Sequence, residues 1–367
     1  VIKLNGADRT TIDGSLSGGT DRSLTISNPN TATGTSVLWI GSIGAGAGAT
    51  NDTIKNCIIS AGTVGSTSVT TFGVFVGDTT GAANGADNDS LTIQNNQILK
   101  ATIGIQSIGG ATAGQQDDNL LIDGNTIGDS VVANSIGRIG MNVGQATGAT
   151  VSRNTVLNVV TTDSAITSSN NARGILISTG TANSSVVRNN VSGVRYTSTG
   201  GYAGKGIDIN TGSATSNLTV ANNFVSDIKG DGWSDVMSDG IAGIRILGTT
   251  GGINLYYNSV NLGSGSFAGN SSGTQSAALA IASTVTGLDI RNNILASNLV
   301  NTAASGAKTY AVFSATTTNA VFTTSNYNDY FASGAQGVLG SLNALDRTTL
   351  AAWQTATGQD GASVAGD

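Results

Sequence analysis

One short unit, apolar–x–x–Asn–x–apolar, recurs along nearly the whole chain and constrains the fold more than any other feature. It is clearest in Leu218-Thr219-Val220-Ala221-Asn222-Asn223-Phe224-Val225. The same template fits Ile93–Asn96–Ile98, Ile122–Asn125–Ile127, Val151–Asn154–Val156, Val186–Asn189–Val191, Leu255–Asn258–Val260 and Ile290–Asn293–Leu295, with weaker copies at Asn56–Ile58 and Asn328–Tyr330. From Asn56 to Asn328 the unit asparagines are separated by 40, 29, 29, 35, 34, 35, 35 and 35 residues. A repeat at such a period indicates an array in which each unit touches only its neighbours.

A period near 35 also suits helical repeats. The units, however, are rich in β-branched residues, Asn and Gly, and lack the Ala/Leu/Glu/Lys runs of helices. Between them lies a second element, as in Gly174-Ile175-Leu176-Ile177, Gly206-Ile207-Asp208-Ile209 and Gly243-Ile244-Arg245-Ile246. Its period-two alternation is a strand signal. Short strands recurring once per coil define an all-β parallel β-helix, with coils stacked at about 4.8 Å. The chain length predicts about eleven coils and a rod on the order of 50 Å long. Equivalent residues then stack. Asn96, Asn125, Asn154, Asn189, Asn223, Asn258 and Asn293 are expected to form a ladder of side-chain amides that satisfies the turns.

At this point the chain resembles right-handed parallel β-helix proteins, the superfamily of pectate lyases, polygalacturonases and chondroitin lyases. Leu91-Thr92-Ile93-Gln94-Asn95-Asn96-Gln97-Ile98 is similar to the coil repeat of that family, and the likeness covers roughly residues 1–345. Three further stretches, Asn5–Gly14, Thr53–Ile59 and Leu350–Gln354, are similar to large secreted surface proteins of Gram-negative bacteria, often exported by the type IX route. The resemblance implies an extracellular or cell-surface location. Residues 346–367 read as a cap and tail, in which Asp346–Trp353 suggests an N-capped short helix with Leu350 and Trp353 on one face, packed over the last coils. No cap is evident near Val1-Ile2-Lys3-Leu4, which suggests a mature fragment and makes end-to-end self-assembly a candidate partnership.

Composition narrows the chemistry. Net charge is −6, which gives no basic footprint for nucleic acid. No apolar run is long enough for a membrane span. The chain has no His, and all 22 acidic residues are Asp. Ser–His–Asp and Cys–His catalysis, His-ligated zinc and Glu-based glycosidase chemistry are thereby excluded. Cys57 is the single cysteine and reads as a packed residue.

Asp117-Asp118 is similar to the paired Asp of polygalacturonases, but the His that accompanies it there is missing, and the pair reads as a solvated turn. Pectate lyases hold Ca²⁺ on Asp side chains, and calcium takes six to eight oxygens. Two stretches offer carboxylates: Asp78 to Asp89, and the loop carrying Asp227, Asp231, Asp235 and Asp239. Calcium is therefore the one candidate cofactor. Stacked loops are expected to bring Arg173, Arg195, Tyr196, Tyr202, Lys205, Asp231, Trp233 and Asp235 toward one face, where aromatic rings beside charged groups suit a surface polysaccharide. Asp208 and Arg245 occupy equivalent outward positions and are expected to pair, worth about 0.2–1 kcal/mol. An ice-binding Thr array is disfavoured by the long, irregular coils. The reading that results is a non-enzymatic extracellular surface, adhesin or fibre module; the alternative is a polysaccharide lyase or glycosidase using Asp with Arg or Lys.

Overall fold

The structure, a computed structural model, describes residues 1–65, 69–81, 84–163, 171–232, 235–267, 269 and 275–366. It is an all-β parallel β-solenoid of about nine turns with one short α-helix near the C-terminus. The expected eleven coils are too many because the last residues form a hairpin, a helix and a tail instead of coils. Two compact units divide the chain: Val1–Val160 with Ile175–Asn190, and Thr161–Gly174 with Val191–Asp367.

In the first unit each turn gives one strand to each of three parallel sheets, for example Ile103–Ile108, Leu121–Asp123 and Thr126–Gly128. The second unit repeats the plan with Ile241–Ile246, Gly251–Tyr256 and Ser259–Phe267. Its inward columns are β-branched and Leu side chains in register, such as Ile207, Ile244 and Leu279 facing Val220, Leu255 and Ile290. All six are at most 1% exposed. The core is thin where the first sheet passes the third. A Cβ at Gly206 would lie 2.3 Å from Val225 Cγ1 and 2.6 Å from the Gly243 carbonyl oxygen, so glycine is required there.

The predicted ladder exists in both units. Asn96 Nδ2 donates to Asn125 Oδ1 at 3.1 Å, Asn125 to Asn154 at 3.0 Å, and Asn154 to Asn189 at 3.0 Å. In the second unit Asn223 donates to Asn258 at 2.9 Å, Asn258 to Asn293 at 3.0 Å, and Asn293 to Asn328 at 3.0 Å. A typical rung is fully used. Asn258 Nδ2 also donates to the Val220 carbonyl at 2.8 Å, and its Oδ1 accepts from the Asn223 backbone N–H at 3.2 Å. The last rung ends on the tail, where Asn328 N–H donates to Ser363 Oγ and Asn328 Nδ2 to Asp360 Oδ1.

The residue before each rung is left-handed. Asn222, Tyr257, Asn292 and Tyr327 have φ of 56°, 56°, 59° and 59°. Asn tolerates this region, whereas a tyrosine there costs on the order of 1 kcal/mol. The helix Leu350–Thr357 is N-capped by Thr349, whose side chain accepts from Ala352 N–H, and it ends on left-handed Gly358. Trp353 is fully buried against Phe322 and Tyr330, and its Nε1 donates to Asp360 at 2.9 Å. Leu350, expected on the packed face, is only half-buried.

Substituting Asn258→Ala should lower unfolding free energy by about 3 kcal/mol, because it strands the Val220 carbonyl and the Asn223 N–H of the preceding coil and leaves the Asn293 amide oxygen short of a donor. Asn222→Ala, one residue before a rung and exposed, should cost about 1 kcal/mol. Urea denaturation of both variants checks this; equal losses would contradict it.

Candidate functional site

Of the side chains singled out in the sequence, Arg173, Lys205, Asp208 and Arg245 lie together on the outer face of the first sheet, in the second unit. Strand register sets them there. Lys205 lies opposite Ala242, and Asp208 opposite Arg245. The expected Asp208–Arg245 pair is present: Arg245 Nε donates to Asp208 Oδ1 at 2.9 Å and Nη2 to Oδ2 at 2.8 Å. Arg173 adds a second guanidinium, with Nε 2.6 Å from Asp208 Oδ2.

The pair is not on the surface, contrary to the outward, solvated position expected for it. Asp208 and Arg245 are each 1% exposed and Lys205 is 0% exposed. Residues 235–240 fold back over this face. Arg245 Nη1 donates to the carbonyls of Met237 and Ser238, at 2.6 and 2.9 Å, and Asn171 Nδ2 donates to Ser238 at 3.1 Å. Val236 packs beside Ala242, Ala277 and Tyr310. The energetics are thus those of a buried ion cluster, in which removing one partner leaves an uncompensated charge, and the small surface value does not apply.

Electrostatics follow from this burial. Desolvation pushes the Asp208 carboxyl upward, but Arg245 and then Arg173 outweigh it and hold it below the usual carboxylate range. Its contribution to stability is present above the ordinary carboxylate pKa and is lost only as pH falls through the lower folded value. Among the described residues Lys205 has no comparable partner. Its Nζ donates to the Ala203 carbonyl at 3.2 Å. Burial, then Arg245, drive its pKa well below that of free lysine, while Asp208 and Asp239 pull the other way. One Asp239 oxygen is itself buried without a hydrogen-bond partner among the described residues.

The remaining predicted residues separate. Tyr196 is buried, with its hydroxyl accepting from Gly200 N–H and its ring edge-on to Tyr202 at 5.8 Å. Asp231 accepts from Gly201 N–H at 2.6 Å, and Arg195 bridges to Lys229 through backbone. Trp233 lies outside the described residues. The expected single exposed face is therefore not formed, since Arg173, Tyr196 and Lys205 are all covered. Nor do the proposed calcium ligands converge. Asp227 pairs with Lys229 at 2.7 Å, and Asp235 accepts from Met237 N–H at 2.7 Å within its own turn. Among the described residues no group of three or more His, Cys, Asp or Glu is placed to hold a metal ion. These carboxylates do not fit a calcium cage.

The first unit carries two open clefts. One, of about 320 Å³, is lined by Lys55, Gln94, Asn95 and Asp123 among others. Asp123 accepts from Gln94 at 3.0 Å and from Arg153 Nε at 2.8 Å; its pKa is down to about 2, because these partners and Ser152 outweigh its desolvation. The other, of about 460 Å³, includes Asp8, Asp87 and Asp89. Asp117, read as part of a solvated turn, is fully buried, and burial pushes its carboxyl well above the usual range. Cys57 is buried as expected. Among the described residues no helix is long and apolar enough to cross a membrane.

Fold and register define a parallel β-solenoid protein. No family model matches the sequence, and no curated protein matches it. Among solved structures, the chain is similar to the Azotobacter vinelandii mannuronan C-5 epimerase AlgE6 A-module, with 12% identity and a TM-score of 0.41 over 99% of this chain and 88% of that one. Nothing in these comparisons supports the type IX route.

Lys205 yields a signed pH prediction. Between its depressed folded value and the unfolded value of about 10.4, the unfolded chain binds the extra proton. The lysine's contribution therefore makes stability rise with pH across that interval. Lys205→Met should flatten the rise seen in urea midpoints between about pH 7 and 10 and should raise stability at neutral pH. Superimposable pH profiles would contradict it. Asp208→Asn, by contrast, should cost about 3–5 kcal/mol at neutral pH.

Proposed function

We propose that this chain is a non-catalytic β-solenoid module of an extracellular or cell-surface protein, serving as a spacer in an adhesin or fibre. The observation that carries this reading is the closed state of the charged cluster. A lyase or glycosidase working without His or Glu needs an Asp, Lys or Arg within reach of its sugar. Here Asp208 spends both oxygens on two arginines, and Lys205 is fully buried where residues 235–240 cover the cluster. Such a cluster orients and locks a covering segment; it has no open side from which to protonate or deprotonate a substrate.

The competing activity is polysaccharide cleavage by β-elimination or hydrolysis. It is tested by incubating the protein with polygalacturonate, alginate and chondroitin sulfate while following unsaturated products by ultraviolet absorbance and new reducing ends. No product above the buffer rate is expected. Product formation that disappears in Lys205→Met or Asp208→Asn would overturn the proposal and make the cluster catalytic.

A further inference from the structure

A second feature lies at the corner between the second and third sheets of the second unit, away from the buried cluster. Tyr257 and Tyr327 precede ladder residues Asn258 and Asn328 in the left-handed conformation that Asn222 and Asn292 adopt on alternate coils. Backbone bonds keep the column stacked, from Asn222 N–H to Tyr256, from Tyr257 N–H to Arg291, and from Asn292 N–H to Asn326. The tyrosines are 59% and 58% exposed. Two residues beyond each asparagine of this column, Phe224 and Ile294 are 47% and 49% exposed, on the register row Phe224, Ser259, Ile294, Asp329. Large apolar side chains and small polar ones thus alternate coil by coil.

Two points indicate that this strip has a ligand. First, asparagine is the low-strain choice at both tyrosine positions, as the alternate coils show, so the rings are held there against backbone preference. Neither phenol donates or accepts a hydrogen bond among the described residues, so fold stability does not explain them. Second, the rings repeat every second coil, a period on the order of 9.5 Å from the strand spacing. That is close to the two-residue repeat, on the order of 10 Å, at which an extended β-1,4-linked glycan presents the same sugar face, because successive rings turn over. Hydroxyl partners stand alongside: Asn292, and the Tyr256–Asp289–Arg291 network in which Tyr256 donates to Asp289 at 2.7 Å and Arg291 stacks 5.0 Å from the Tyr256 ring. Sugar C–H faces stack on aromatic rings, and hydroxyls bond amides and carboxylates.

We propose that the Tyr257–Tyr327 strip is a binding site for an extended β-1,4-linked polysaccharide running along the coil stack of the second unit. The proposal does not depend on whether the module is catalytic. The test is native affinity electrophoresis of the full chain in gels containing hydroxyethylcellulose or glucomannan, with dextran as an α-1,6-linked control, alongside the double variant Y257N/Y327N. Because that variant copies the asparagines of the alternate coils, it should fold, with a Tm equal to or above that of the parent. The parent should be retarded by the β-1,4-linked glycans and not by dextran, and the double variant should bind at least about tenfold more weakly. Y257F/Y327F should retain most of the retardation. No retardation of the parent, equal retardation in dextran, or unchanged retardation of Y257N/Y327N would each overturn the proposal. So would a concentration-dependent dimer, seen by light scattering, that Y257N/Y327N abolishes, since the strip would then face a second copy of the chain.

Discussion

Everything in this molecule depends on the stacked asparagine amide. A solenoid coil turns sharply and buries the turn, which leaves backbone groups with no water to meet them. The ladder answers that need with one side chain per coil. Each amide bonds the next rung, a strand carbonyl of the preceding coil and the N–H of the preceding rung, as Asn125 does with Asn154, Ile93 and Asn96. Because these three bonds cross between coils, the ladder fixes register as well as satisfying the turn. A slip by one residue would move each asparagine to the wrong face and break all its bonds together.

Register in turn decides what the outer surface can do. On the first sheet of the second unit it sets Asp208 against Arg245 and Lys205 against Ala242, which gathers charge under a covering segment. At the corner between the second and third sheets it sets Tyr257 and Tyr327 two coils apart, with Asn292 between them and Asn222 one coil before. The same device yields a closed electrostatic clamp on one side and an open aromatic strip on the other. The tail completes the scheme. Asp360 and Ser363 accept from Asn328 where a further asparagine rung would stand, and Trp353 holds Asp360 in place.

Much of this was legible in the sequence, for an identifiable reason. The apolar–x–x–Asn–x–apolar unit is local, so the strands, the ladder and the Asp208–Arg245 pairing followed from counting. What failed was whatever depends on chain that folds back across coils. Spacing alone gives no sign that residues 235–240 would cover Arg173, Lys205 and Asp208, so a buried cluster read as an exposed one. The tyrosine strip was missed although its signal is present in the sequence. It lies in the residue before each unit asparagine, where Asn222, Tyr257, Asn292 and Tyr327 alternate. Coil number was overcounted because length cannot tell a tail that caps the ladder from a tail that continues it.

The most direct measurement of the central claim is hydrogen–deuterium exchange of the ladder. Backbone N–H groups of Asn96, Asn125, Asn258 and Asn293 each donate to the side-chain Oδ1 of the next rung, at 2.9 to 3.0 Å. If the ladder carries the fold, these amides exchange among the slowest in the chain, through global unfolding, although they sit at turns. Exchange as fast as that of ordinary surface turns would show that the amide stack decorates the solenoid and does not hold it.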